Sequence, residues 1–152
     1  MKIKINNETL ADKLLLRIRL DFKAKERAGR FFFGGKTREV MAETVRQQQV
    51  GLLKNLPLQG IALEDFDTSL DIYQVTETDH RRQQEAAYAP LVLTLKADSM
   101  EDVLPLVIRP EFRKIELLEP DKISLDKKQA ERLLFSISRY LYKDSDKYPG
   151  QE

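Results

Sequence analysis

The segment from Gly29 to Thr37 ends in Gly-Lys-Thr, the ending of a phosphate-binding loop. That loop needs a small residue five positions before its second glycine, because the backbone amides must curl around the phosphates while the lysine reaches the outer ones. In this chain Arg30 stands at that position, and three phenylalanines follow it. We therefore interpret the segment as a strand, a Gly-Gly turn and a helix capped by Thr37. A nucleotide-binding enzyme using this loop is kept as an alternative function, although the sequence as a whole favours a protein that is not an enzyme.

Basic residues are concentrated in the N-terminal part of the chain. Residues 1–40 carry eleven Lys and Arg against five Asp and Glu, whereas residues 41–79 carry two against seven. We predict a strand over Leu14–Phe22, a turn at Ala28-Gly29 and a returning strand over Arg30–Phe33, which together form a basic hairpin. The candidate nucleic-acid contacts on this hairpin and just after it are Arg17, Arg19, Lys23, Lys25, Arg27, Arg30, Lys36 and Arg38.

Two interpretations of this basic hairpin are open. If its positive side chains contact phosphates, the chain is a nucleic-acid-binding protein. The acidic residues Asp21 and Glu26 are interspersed among them, and the net charge of the whole chain is only +1. These facts favour a solvated outer face of a strand, with the basic side chains balanced inside the fold.

Acidic residues alternate between Asp65 and Asp71 in the spacing of the first ligands of an EF-hand calcium loop. The match ends there, since Leu70 replaces the required glycine and Thr76 the bidentate glutamate. We predict an acidic turn before a strand, with Asp65 and Asp67 as weak candidates for a metal site. The chain has no cysteine and one histidine, so we expect no cofactor and no other metal centre.

Composition bounds the class of protein. A chain of 152 residues, with 41% apolar and 34% charged residues, is typical of one globular domain with its own core. No apolar run approaches the roughly 20 residues of a membrane span. The absence of cysteine fits a reducing compartment, and we expect a cytoplasmic location.

Hydrophobic periodicity indicates the remaining elements. A helix is predicted from Thr37 to about Leu53, and a long polar loop containing His80 from Glu77 to Ala89. Strands follow around Leu91–Lys96 and over Phe112–Leu118, with a short helix capped by Ser99 between them. Ser124 is predicted to cap a last amphipathic helix, whose apolar stripe consists of Leu125, Ala130, Leu133, Leu134, Ile137 and Leu141.

These elements predict a single α+β domain over residues 1–143, followed by a mobile tail over residues 144–152. We expect a mostly antiparallel sheet with about three helices on one face, as a ferredoxin-like sandwich with additions. The full set of core stripes and the lack of a convergent catalytic group favour a noncatalytic interaction or regulatory domain. Its expected partner is another protein or a second copy, nucleic acid is the alternative, and no membrane contact is expected.

Overall fold

The computed structural model describes residues 13–25 and 35–146, except for the side chains of residues 35–37, 79 and 143–146. The candidate contacts Arg27 and Arg30 and the returning strand of the predicted hairpin lie outside these residues. In chain order the elements are β1 Leu14–Lys23, α1 Gly35–Asn55, β2 Ile61–Asp67, β3 Tyr73–Asp79, β4 Arg82–Ala97, α2 Met100–Val107, β5 Phe112–Glu119 and α3 Lys127–Asp146.

The predicted α+β class is confirmed, with three helices and a five-stranded antiparallel sheet. The strand order is β2-β4-β1-β5, and β3 also pairs with β4. β1 and β4 form the centre, in register from Leu14 opposite Ala97 to Lys23 opposite Tyr88. Since β1 was predicted from its period-two alternation, its position in the core follows directly from the sequence.

The core lies on one face of this central pair. Alternate residues of β1 from Leu14 to Phe22 are buried there, opposite alternate residues of β4 from Ala89 to Ala97. α1 contributes Leu53 to this cluster, and α2 contributes Val103 and Leu106. We call this side the helix-covered face. α3 packs against α2, where the buried Ser136 donates a hydrogen bond to Glu101 across 2.6 Å.

Pro90 explains why β2 and β3 are separate strands along one edge of β4. β2 pairs with residues 92–97 and β3 with residues 82–88, so the stretch around Pro90 has no strand partner on that side among the described residues. Proline has no backbone N–H to donate to a neighbouring strand. Its carbonyl accepts instead from Nη1 of the buried Arg46 of α1, at 2.9 Å.

Arg46 also holds the connection between β2 and β3. The same Nη1 donates to the carbonyl of Leu70 at 3.1 Å, and Nη2 donates to Glu43. One buried guanidinium therefore joins α1, the β2–β3 connection and β4.

The predicted loop from Glu77 to Ala89 is wrong. β3 and β4 instead form a hairpin whose two turn residues, His80 and Arg81, have φ values of 48° and 69°. Positive φ at both central residues is the type I′ geometry that suits the twist of a hairpin. The sequence lacks the Asn-Gly or Asp-Gly that signals such a turn, so the pairing of the flanking strands decides it.

Two predicted caps and the predicted acidic turn are also corrected. α1 begins at Gly35, so Thr37 lies inside its first turn. α3 begins at Lys127, so Asp126, and not Ser124, is the residue that caps it. The Asp126 carboxylate accepts from the backbone N–H of Gln129 at 2.8 Å, and the Gln129 side chain accepts from the backbone N–H of Asp126 at 2.9 Å. Asp65 and Asp67 belong to β2, so the turn begins only after them, and it precedes β3 as predicted. By contrast, the predicted cap of α2 is confirmed, because the Ser99 side chain accepts from the N–H of Asp102.

None of the helices within residues 13–25 and 35–146 has the length and apolar composition of a membrane span. α3 continues to Asp146 and so enters the predicted tail, whose last residues, 147–152, are outside the described part of the chain.

Replacing Arg46 with methionine tests its role in joining the elements. Arg46→Met keeps an apolar stem but leaves the carbonyls of Leu70 and Pro90 without their donor, so the free energy of unfolding should fall by roughly 1–3 kcal/mol. Urea denaturation measures this change. Gln47→Met is the matched control, because the exposed Gln47 amide donates to the side chain of Glu43 one turn earlier, and its effect should stay within about 0.5 kcal/mol. Equal effects of the two variants would contradict this role.

Candidate functional site

The described basic candidates of β1 share the face of the sheet opposite the helix-covered face. Arg17, Arg19 and Lys23 alternate with the buried core residues of this strand. The register brings Glu116 and Lys114 of β5 opposite Arg17 and Arg19. We call this side of the sheet the charged face.

Each of these three basic residues has a carboxylate partner. Arg17 lies 3.7 Å from Glu116, and Lys23 donates to Glu77 at 2.8 Å. Arg19 donates from Nε to Asp21 at 2.8 Å. The structure therefore brings the predicted residues to one face and balances each with an acid. Acidic residues at alternate positions in the sequence indicated that the basic charges would be balanced. Which acid pairs with which basic residue depends on strand pairing.

Asp21 is the centre of this network. Its side chain is only 2% exposed, and its two oxygens accept from Arg19. The hydroxyl of Tyr73, from β3, donates to the same carboxylate, and Nε of Arg113 lies 3.9 Å away. A buried carboxylate is stable only when such donors compensate for its lost hydration. Asp21 thus connects β1, β3 and β5 on the charged face.

Two tyrosines cover the β3 side of this network. The rings of Tyr73 and Tyr88 stack with centroids 5.4 Å apart, and the guanidinium of Arg113 lies 5.6 Å from the centroid of Tyr88. The Tyr88 hydroxyl donates to Glu77. Burial is the largest cause that raises the pKa of both tyrosines, and the hydrogen bond to a carboxylate is the second. Both are therefore neutral donors that hold the carboxylates in place.

A cavity of about 410 Å³ adjoins this network at the end of β1. Its lining includes the candidate Lys25, together with Lys23, Tyr88 and Arg113. The candidate Arg38 is in α1 and lines a smaller recess beside Lys25. The backbone of Lys36 is in the first turn of α1, and its side chain is outside the described atoms. Lys25 and Arg38 are therefore close to the network without belonging to it.

Of the two acidic candidates, only Asp67 takes part in a local turn motif, at the end of β2. Asp67 accepts from the backbone N–H of Ser69 at 2.9 Å and from its hydroxyl at 2.6 Å. The hydrogen bonds to Ser69 lower the pKa of Asp67. Asp65 lies in β2, opposite Thr94. Within the described residues, no group of three potential ligand side chains converges at Asp65, Asp67 or elsewhere.

A second candidate surface lies on α3. Leu134, Phe135, Leu141 and Tyr142 are between 62% and 72% exposed, and Ile137 is also exposed. We call these five residues the α3 surface. Leu134, Ile137 and Leu141 were predicted to face the core because of their helical spacing. Leu125 is also exposed and lies before α3, whereas Ala130 and Leu133 are half-buried and the neighbouring Ser136 is buried.

Comparison of the chain with protein-family models and with curated proteins finds no match. We therefore infer function from the charged face and the α3 surface themselves.

Removing the carboxylate charge of Asp21 tests the network. Asp21→Asn should lower the free energy of unfolding by roughly 1–3 kcal/mol, less than for a fully buried pair because Arg19 can turn toward water. Tyr73→Phe removes one donor and should cost about 1 kcal/mol. Urea denaturation of both variants checks the ranking. A greater loss in Tyr73→Phe would contradict the central place of Asp21.

The lowered pKa of Glu77 predicts that the free energy of unfolding depends on pH. The hydrogen bond from Lys23 is the largest cause that lowers the pKa of Glu77 from its ordinary value of 4.5, and the hydrogen bond from Tyr88 is the second. The stabilisation is therefore present above that value and is lost as the pH falls through the lowered pKa. Glu77→Gln lacks this contribution, so its unfolding free energy should decline less steeply in acid.

Tyr88→Phe provides the graded comparison, because it removes only the second cause of the shift. Its decline in acid should lie between those of the wild type and Glu77→Gln. Denaturation at a series of pH values measures all three proteins. Parallel curves would show that the Glu77 contacts do not contribute to folding.

Proposed function

We propose that the protein is a noncatalytic interaction domain that binds the apolar surface of another protein chain through α3. The observation that carries this proposal is the exposure of the α3 surface. Single exposed apolar residues are common, but five large ones within residues 134–142 of one helix form a concentrated patch. Patches of this kind mark protein interfaces, and their aromatic members supply much of the binding energy.

The charges on α3 support the same proposal. Lys128, Arg132 and Arg139 follow one another at helical spacing on the side away from Leu134 and Leu141. The helix therefore has an apolar stripe and a basic stripe, and only the region around Ser136 packs closely on α2. A polar rim beside an apolar centre is the usual composition of an interface.

The two alternative functions have less support. The basic candidates of the N-terminal strand are paired with Asp21, Glu77 and Glu116, so contact with a phosphate backbone would require breaking these pairs. For the nucleotide-binding alternative, the support remains the ending Gly35-Lys36-Thr37 at the start of α1. Neither alternative has an observation comparable to the α3 surface.

The ferredoxin-like topology and the cytoplasmic location are part of the proposal. β2 and β3 can be counted as one edge strand that is interrupted opposite Pro90 of β4. The order of elements is then strand, helix, strand, strand, helix, strand, with α3 added. The cysteine-free sequence supports a reducing compartment.

Charged substitutions on the α3 surface test the proposed function. In a native extract, the tagged wild-type chain should elute in a species heavier than its own 17.7 kDa. Leu134→Asp/Leu141→Asp should move the chain to the elution volume of the purified chain alone, because a charge in the apolar centre of an interface costs several kcal/mol. Size-exclusion chromatography with chemical crosslinking measures the change, and circular dichroism verifies that the helix persists.

Lys128→Asp/Arg139→Asp is the matched control, since it also introduces two aspartates into α3 but places them on the basic stripe. This control should keep more of the heavier species than Leu134→Asp/Leu141→Asp does, because charges at the rim of an interface contribute less than its apolar centre. A monomeric wild-type chain in the extract, or equal effects of the two double variants, would refute binding through the α3 surface.

A further inference from the structure

β5 is an edge strand that carries an uncovered part of the core face. Among the described strands it pairs only with β1, so its other side presents backbone N–H and C=O groups to a new strand. Ile115 and Leu117 lie opposite the buried Ile18 and Leu16, yet they are 39% and 47% exposed. The apolar face of the sheet thus continues to this edge, where the described residues leave it partly open to solvent.

We propose that a second copy of the chain occupies this edge, with the two β5 strands antiparallel about a twofold axis at Ile115. The occupant is argued from charge complementarity. Residues directly opposite each other in an antiparallel pair point to the same side of the sheet. Within two residues of the axis, Ile115 can therefore lie opposite Arg113, Ile115 or Leu117 of the other copy, although Arg113 stands beside a β-bulge and is turned toward Asp21 on the charged face.

Only the middle register avoids like charges at the axis. With Ile115 opposite Arg113, Lys114 meets Lys114, and with Ile115 opposite Leu117, Glu116 meets Glu116. When the two Ile115 residues meet, each Lys114 lies opposite a Glu116 of the other copy. Opposite charges in such positions stabilise a strand pair, whereas like charges destabilise it.

The pair would also extend the existing charge network. Within one copy Nζ of Lys114 lies 3.4 Å from Glu116, which in turn lies 3.7 Å from Arg17. Across the axis the same Lys and Glu would meet twice on the charged face, while the isoleucines meet on the helix-covered face. A stable interface usually buries about 800 Å² per partner, more than one strand of eight residues provides, so we expect a dimer that dissociates on dilution.

Charge reversal on the purified full chain tests this register. Light scattering and sedimentation equilibrium should give a mass approaching twice 17.7 kDa as the concentration rises. Lys114→Glu and Glu116→Lys each place like charges opposite one another, so each should raise the dissociation constant at least about tenfold. The double variant Lys114→Glu/Glu116→Lys restores opposite charges and should recover the wild-type constant to within about threefold.

Lys96→Glu is the matched control. It reverses a lysine that lies 3.5 Å from Glu64 at the other side of the sheet, and it should leave the dissociation constant unchanged. Ile115→Thr serves if a charge reversal unfolds the chain, because threonine keeps a strand preference while removing apolar contact at the axis. This variant should also weaken the dimer.

Three results would overturn the inference: a single-chain mass at every concentration, single reversals that dimerise like the wild type, or a double variant as weak as the single ones. This inference concerns β5 and is separable from the proposed function of α3. A purified monomer that still enters a heavier, α3-dependent species in the extract would reject only the β5 dimer. A β5 dimer with no effect of the α3 substitutions would reject only the α3 proposal.

Discussion

The antiparallel pairing of β1 with β4 is the constraint on which the rest of the structure depends. Ten residues of β1 pair in register with β4, and the leucines and isoleucine of one face are almost completely removed from water. Each such side chain contributes about 1.5–3 kcal/mol on burial, far more than an exposed ion pair. β5 completes the other side of β1, β2 and β3 complete the other side of β4, and two helices cover the apolar face.

One proline within this central pair determines how the edge is built. Pro90 cannot donate to a neighbouring strand, so the edge divides into β2 and β3, and Arg46 compensates for the missing ladder contacts. The division has a consequence for the charged face. It starts β3 at Tyr73, opposite Tyr88, and thereby brings a phenol hydroxyl to the buried carboxylate of Asp21. A backbone limitation in β4 is thus linked to the polar network on β1.

The same alternation that buries one side of β1 exposes its basic residues on the other side. Because strands from distant parts of the chain supply Glu77 and Glu116, these positive charges are balanced where they emerge. The excess of basic residues in the N-terminal part therefore does not make the described part of β1 a free cationic surface. Apolar side chains are instead exposed at several places, and the two for which we propose partners are α3 and the outer edge of β5.

The sequence by itself determined the α+β class, the central strand and the Ser99 cap, because periodicity and capping involve residues within a few positions of each other. It did not reveal the hairpin at His80, where strand pairing imposes a turn that the local residues do not signal. Nor did it reveal that Asp21 meets Tyr73 across 52 positions, or that Leu134 faces outward. Only the tertiary structure decided these points, since burial and ion pairing depend on which distant elements come to lie against each residue.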